Sequence, residues 1–90
     1  MPSYLVEAYL AASAGALEDA RARARRTAEA GAGVRHLRTT YLPEDETILH
    51  LFEAPSAEAL DRAGRLAALP FDRIVEAVEG VAEPLTEETT

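Results

Sequence analysis

Four stretches of the chain alternate apolar and polar residues, which predicts β-strands, and two others have the apolar spacing of amphipathic helices. The predicted strands are residues 3–10, 34–41, 47–54 and 72–81, and the predicted helices are residues 14–30 and 57–69. The order is therefore βαββαβ, which predicts an α+β, ferredoxin-like fold: a four-stranded antiparallel sheet with two helices on one face. We expect a single domain over residues 1–81, followed by an acidic flexible tail over residues 82–90.

Two helices can cover only one face of such a sheet, so the other face is left open. A 90-residue chain is also near the lower size at which a single core is stable. Burying the open face against a second copy would add apolar contacts. We therefore expect a homodimer formed through this face, in the manner of a dimeric α/β barrel.

Composition removes several classes of function. The net charge is −7 and all nine basic residues are arginine, which argues against nucleic acid and anionic membrane surfaces as partners. The chain has no cysteine, so disulfides, thiolate metal sites and cysteine nucleophiles are excluded. No stretch approaches the ~20 apolar residues of a membrane-spanning helix, and we expect a soluble cytoplasmic protein.

Alternation also sorts the strand residues into two faces. We expect the aliphatic set Leu37, Leu49 and Leu51 to lie beneath the helices, with Val6 and Ala8 of the first strand. The open face then carries two histidines and two carboxylates, which are candidate metal ligands: Glu7, His36, His50 and Glu76. The side chains expected around them, as pocket walls or as a dimer interface, are Leu5, Tyr9, Arg38, Ile48 and Phe52.

Imidazole and carboxylate groups on one face can hold a divalent cation, and they can equally serve as acid and base for proton transfer. Purely structural roles stay open for the same residues. His50 in a central strand could be a hydrogen-bonded core residue, and Glu7 could form an ion pair with Arg38 or a histidine.

Three segments give the chain a family resemblance: SYLVEAYL at residues 3–10, VRHLRTTYLPEDETILHLFEAP at 34–55, and SAEALDRAGRLAALPFDRIVEAVEG at 56–80. They resemble a family of small bacterial domains of ferredoxin-like fold that includes an actinobacterial nickel-binding protein. The resemblance implies that fold, a dimer, and binding of a divalent metal such as nickel or zinc. Family members often carry a histidine in the second helix, where this chain has Ala63 and Gly64.

The first hypothesis is therefore a small metal-binding protein for nickel-type divalent cations, with its site on the open sheet face. The alternative is a dimeric α/β-barrel protein that binds or transforms a small hydrophobic metabolite in a pocket on that face. A third reading is a dimerisation module whose open face is filled by its twin. The sequence identifies no catalytic residue and leaves open whether the protein is an enzyme.

Overall fold

The computed structural model describes residues 1–78 and confirms the ferredoxin-like order. The elements are β1 (Ser3–Tyr9), α1 (Ala16–Ala30), β2 (Arg35–Leu42), β3 (Thr47–Glu53), α2 (Ala57–Leu66) and β4 (Arg73–Ala77). The strands form one antiparallel sheet in the order β2-β3-β1-β4. The tail predicted at 82–90 and the last residues of the fourth predicted strand lie outside the described residues.

The two helices begin in different ways. Helix α2 begins at Ser56, whose hydroxyl accepts a hydrogen bond from the Ala59 amide at 3.1 Å, satisfying one of the amides that a helix start leaves without a partner. Helix α1 follows Gly15, which has φ 80° and makes no side-chain cap. Glycine adopts this left-handed conformation without a steric penalty, so the turn itself sets where α1 begins.

Both helices pack on one face of the sheet. The larger core cluster joins Tyr4, Val6 and Phe52 of the central strands to Ala24 of α1 and to two residues of α2, Leu60 and Ala63. A smaller cluster joins Ala8, Ala20 and Ile48. Helix α1 contributes alanines to both clusters, so its backbone lies close to the sheet and leaves the core volume to the strand side chains.

The predicted facing of β3 is wrong. Residues directly opposite each other in a sheet share a face, and Ile48, His50 and Phe52 pair with Ala8, Val6 and Tyr4 of β1. Since Val6 and Tyr4 belong to the core beneath the helices, the set containing His50 lies there too, and Leu49 and Leu51 face the other way. Both sets of this central strand are apolar enough to be buried, so alternation alone does not decide between them.

The open face carries an apolar row formed by Leu5, Leu49, Leu51 and Val75, which the strand register brings together. Two ion pairs border the row. Arg73 Nε lies 2.7 Å from Glu7 Oε1 at one end, and Arg35 Nη1 lies 3.0 Å from Glu53 Oε1 at the other. Because each acid is already paired with an arginine, this surface can meet a copy of itself without like charges opposing each other.

We expect a second copy of the chain to cover this face. Analytical ultracentrifugation should then give about twice the 9.7 kDa chain mass, and Val75→Arg, which places a charge in the apolar row, should shift the protein to monomer. Leu66→Arg is the matched control, because Leu66 lies on α2 and is 77% exposed. A wild-type protein that stays monomeric at high micromolar concentration would contradict the expectation.

Neither helix among residues 1–78 combines the length and the apolar character needed to cross a membrane.

Candidate functional site

A β-bulge in β2 brings the two histidines of the chain together. His36 pairs with Phe52, but Arg38 pairs with Leu51, the next residue of β3, so Leu37 is an extra residue in the ladder. An extra residue reverses the facing of everything that follows it in the strand. His36 and Thr39, three residues apart, therefore lie on the same face, beneath the helices, while Arg38 turns to the open face.

Three polar side chains on this face, His36, Thr39 and His50, are joined by hydrogen bonds. The Thr39 hydroxyl lies 2.8 Å from Nε2 of His36 and also 2.8 Å from Nδ1 of His50. The ring centroids of the two histidines are 6.0 Å apart, with the rings at 66°. Two imidazole nitrogens thus converge on a single oxygen, held by neighbouring strands rather than by a loop.

The arrangement of protons in these hydrogen bonds follows from the groups themselves. A hydroxyl donates one hydrogen bond, and a neutral imidazole has one N–H donor and one acceptor nitrogen. If Thr39 donates to one ring, the other ring must donate to Thr39. With both rings neutral, the His36–Thr39–His50 hydrogen bonds therefore have two proton arrangements. These exchange the donor and acceptor roles of His36 Nε2 and His50 Nδ1.

Burial keeps both histidines uncharged near neutral pH. His50 is 1% exposed, and desolvation, with a smaller contribution from nearby His36, lowers its pKa from 6.5 to about 4. The pKa of His36 is also lowered, chiefly by burial; a backbone hydrogen bond with Arg38 opposes this, and the charges of Arg21 and Arg25 add to it. Neutral imidazole is the form that ligates metals.

The surroundings of the pair are aromatic on one side and cationic on the other. The Phe52 ring centroid lies 5.2 Å from that of His36 and 6.3 Å from that of His50. From α1, Arg21 and Arg25 act electrostatically on His36, and Arg21 is also paired with Glu18 at 3.4 Å. The site is therefore a pair of imidazoles, one buried and one partly buried, with the positive charge of α1 acting on the partly buried one.

Comparison with known proteins places the chain in a family. A family model described as "Nickel responsive protein SCO4226-like" matches residues 4–77, which is nearly the whole of the described structure. The chain belongs to this SCO4226-like family. No curated protein sequence matches it significantly.

A solved structure of the same fold agrees with this assignment. The crystal structure of SCO4226 from Streptomyces coelicolor A3(2) is similar with a TM-score of 0.70 and 22% sequence identity, over 88% of this chain and 99% of that one. At this identity the likeness shows the fold and not a shared site. The nickel response is a property named for the SCO4226-like family.

The structure of this SCO4226-like chain does not assemble the four predicted metal ligands on the open face. His36 and His50 lie together, but beneath the helices. Glu7 alone of the four lies on the open face, where Arg73 pairs with it. Glu76 pairs with Tyr4 and is exposed on the edge strand β4, so about 14 Å of sheet, three strand spacings, separates it from His36.

The predicted pocket residues are divided in the same way. Leu5 and Arg38 lie on the open face as expected. Ile48 and Phe52 are buried beneath the helices instead, because they share the facing of His50. Tyr9 is exposed at the end of β1, where its hydroxyl donates to Glu46 Oε1 at 3.3 Å, and the Glu46 charge raises the pKa of that phenol.

Sequence reasoning missed Thr39, the residue that joins the two histidines. In a regular strand His36 and Thr39 would face opposite sides, and nothing in the segment HLRTT marks the bulge that reverses this. The available signal was indirect. A histidine inside a buried strand needs a hydrogen-bonding partner, and the adjacent strand offers several polar residues, Thr39 among them, that could supply one.

The two imidazole nitrogens are of a type that binds nickel-like cations, but they supply only two ligands. Imidazole nitrogen is a common ligand for nickel and zinc, and His36 and His50 would hold the ion. Among residues 1–78 no cluster of three or more histidine or acidic side chains could complete the coordination. Remaining positions would fall to water, which can reach the partly buried His36.

The lowered pKa of His50 predicts acid sensitivity of the fold. The folded state binds fewer protons than the unfolded state between pH 6.5 and about 4. The free energy of unfolding is therefore highest above pH 6.5. It falls by about 3 kcal/mol as the pH drops through this window and the unfolded state gains a proton on His50. Urea unfolding of the wild type and of His50→Gln across pH 4–7.5 measures it, because glutamine can bond to Thr39 but does not titrate.

The difference between the two proteins is the informative quantity, since surface carboxylates titrate equally in both. The wild type should lose more stability than His50→Gln on acidification. Equal losses in the two proteins would show that His50 is not buried as a neutral group.

Proposed function

We propose that the protein binds a nickel-type divalent cation through His36 and His50, as the metal-sensing or metal-sequestering step of a nickel response. The observation that carries the proposal is the convergence of two imidazole nitrogens, each 2.8 Å from one hydroxyl oxygen. Membership of the nickel-responsive SCO4226-like family supports the choice of metal.

The protonation state of the pair favours metal binding. A metal has to displace any proton that occupies its ligand nitrogen, so affinity falls when the pH drops below the ligand pKa. Burial lowers the pKa of both histidines. Protons therefore compete weakly at neutral pH, and the pair can respond to metal concentration rather than to small changes in pH.

The arginines of α1 act in the opposite direction. Arg21 and Arg25 lower the pKa of His36 because they oppose positive charge there, and they oppose a bound cation for the same reason. Glu18 offsets part of the Arg21 charge through its ion pair. The arginine charges thus weaken cation binding at His36, which suits a protein that has to release its metal when the supply falls.

Calorimetric titration with Ni(II) at pH 7.5 tests the proposal. The wild type should bind one ion per chain. His36→Gln and His50→Gln should each weaken binding by at least about 10-fold, or about 1.4 kcal/mol, because each removes one of two imidazole ligands. His36→Gln is the more informative variant, since His36 is only partly buried and the fold should tolerate the change.

Glu7→Gln and Glu76→Gln are the matched controls, because both acids lie away from the histidine pair. Binding should be unchanged in both. Loss of binding in Glu7→Gln with retention in His36→Gln would place the metal on the open face instead. Absence of Ni(II) binding by the wild type would reject the proposed function.

The arginine field gives a separate prediction. Arg25→Gln should raise the pKa of His36, followed by NMR titration, and should strengthen Ni(II) binding by about two- to five-fold at low salt. The gain should shrink in 1 M salt, where charges on exposed groups are screened. Arg26→Gln is the control, because Arg26 neighbours Arg25 on the helix but is not among the residues that perturb His36. Equal effects of the two variants would contradict the prediction.

A further inference from the structure

We infer that Thr39 regulates the histidine site by competing with the metal: its hydroxyl holds the two ligand nitrogens in the metal-free protein and must leave them before an ion can bind both. This inference deepens the proposed function and rests on it. Thr39 lies between the two histidines on the helix-facing side of β2. Its role would be to set the metal concentration at which the site becomes occupied.

The competition follows from the geometry of the nitrogens. Each imidazole nitrogen has a single lone pair or a single N–H bond in the ring plane. His36 Nε2 and His50 Nδ1 both direct theirs at the Thr39 oxygen. A metal binds such a nitrogen at about 2.0–2.1 Å along the same direction. The hydroxyl and the metal therefore cannot occupy these positions together. The ring that donates its N–H to Thr39 must also shift that proton to its other nitrogen, so that both facing nitrogens present lone pairs to the metal.

The conformational change that the competition requires is small. Rotation of Thr39 about χ1 to the rotamer that points its hydrogen at the histidines moves both the hydroxyl and the methyl group away from the two nitrogens. The backbone can stay in place, because the bulge and the pairing of Thr39 with His50 hold β2 against β3. The two histidines remain preorganised while the hydroxyl moves away.

The competition with the Thr39 hydroxyl lowers the affinity of the protein for the metal. Binding has to break two hydrogen bonds that are present only in the metal-free protein. A variant without the hydroxyl does not lose them, although water can replace part of what is missing. We therefore expect removal of the hydroxyl to strengthen metal binding by about 10-fold.

The experiment compares Thr39→Ala with Thr39→Ser, which differ only in the hydroxyl. Calorimetry with Ni(II) at pH 7.5 should show Thr39→Ala binding about 10-fold more tightly than Thr39→Ser, with Thr39→Ser close to the wild type. Thr40→Ala is the matched control, because Thr40 pairs with Leu49 and lies on the opposite face. It should leave affinity unchanged.

A metal-free readout separates this inference from the proposed function. The ring ¹⁵N chemical shifts of His36 and His50 should change in Thr39→Ala and stay as in the wild type in Thr40→Ala. Unchanged ring shifts in Thr39→Ala would overturn the inference whatever the metal does. Changed ring shifts with no Ni(II) binding by any variant would reject the proposed function and, with it, the regulatory role.

The calorimetric outcomes are equally decisive. Equal affinity of Thr39→Ala and Thr39→Ser would mean that the metal uses other ring nitrogens, and weaker binding by Thr39→Ala would make the hydroxyl a ligand; either result overturns the inference. If Thr39→Ala does not fold, Zn(II) titration of the wild type replaces it. The Thr39 side-chain ¹³C shifts should then move together with the ring signals, and static Thr39 signals would overturn the inference.

Discussion

Burial of His50 beneath the helices is the constraint on which the rest of the site depends. An imidazole removed from water must stay neutral and hydrogen-bonded, or the fold bears the cost of a buried charge or of an unpaired polar atom. His50 meets this requirement through one contact, with the Thr39 hydroxyl. That hydroxyl is available on the correct face only because β2 contains an extra residue before it. The bulge therefore supplies the hydrogen bond that the buried, neutral histidine requires.

The same bulge explains why the two faces of the sheet differ in chemistry. It places Thr39 on the same inward face as His36 and sends Arg38 outward, to the side that already carries the Glu7–Arg73 and Arg35–Glu53 pairs. Charged side chains thus collect on the open face in compensating pairs, where solvent or a second copy can meet them. The neutral polar groups collect under the helices, where the low dielectric strengthens their hydrogen bonds.

The sequence was sufficient for the elements, their order and part of their facing. Alternation assigned β1 correctly, because only one of its two sets, Val6 with Ala8, is wholly apolar. It failed for β3, where both sets can be buried and the histidine lies in the set that packs under the helices. The partner of Glu7 was also not predictable, since Arg73 comes from a strand distant in the chain. The bulge at Leu37 has no glycine to mark it, so the His36–Thr39 contact could be found only in the structure.

The placement of the histidines would separate the proposed metal binding from the expected association of the chains. Had the site lain on the open face, as alternation alone suggested, a dimer would have covered it, and the two properties would have been coupled through the same surface. In the folded chain the sheet lies between them. A second copy on the open face would contact Leu5 and Val75 while the imidazole pair stayed on the other side, beneath α1. Metal binding at the histidines would then alter association only through the strands themselves, whose backbone is held by pairing on both sides of β3. The architecture thus favours a site that responds locally, by rearranging one hydroxyl, over one that responds by opening or closing an interface.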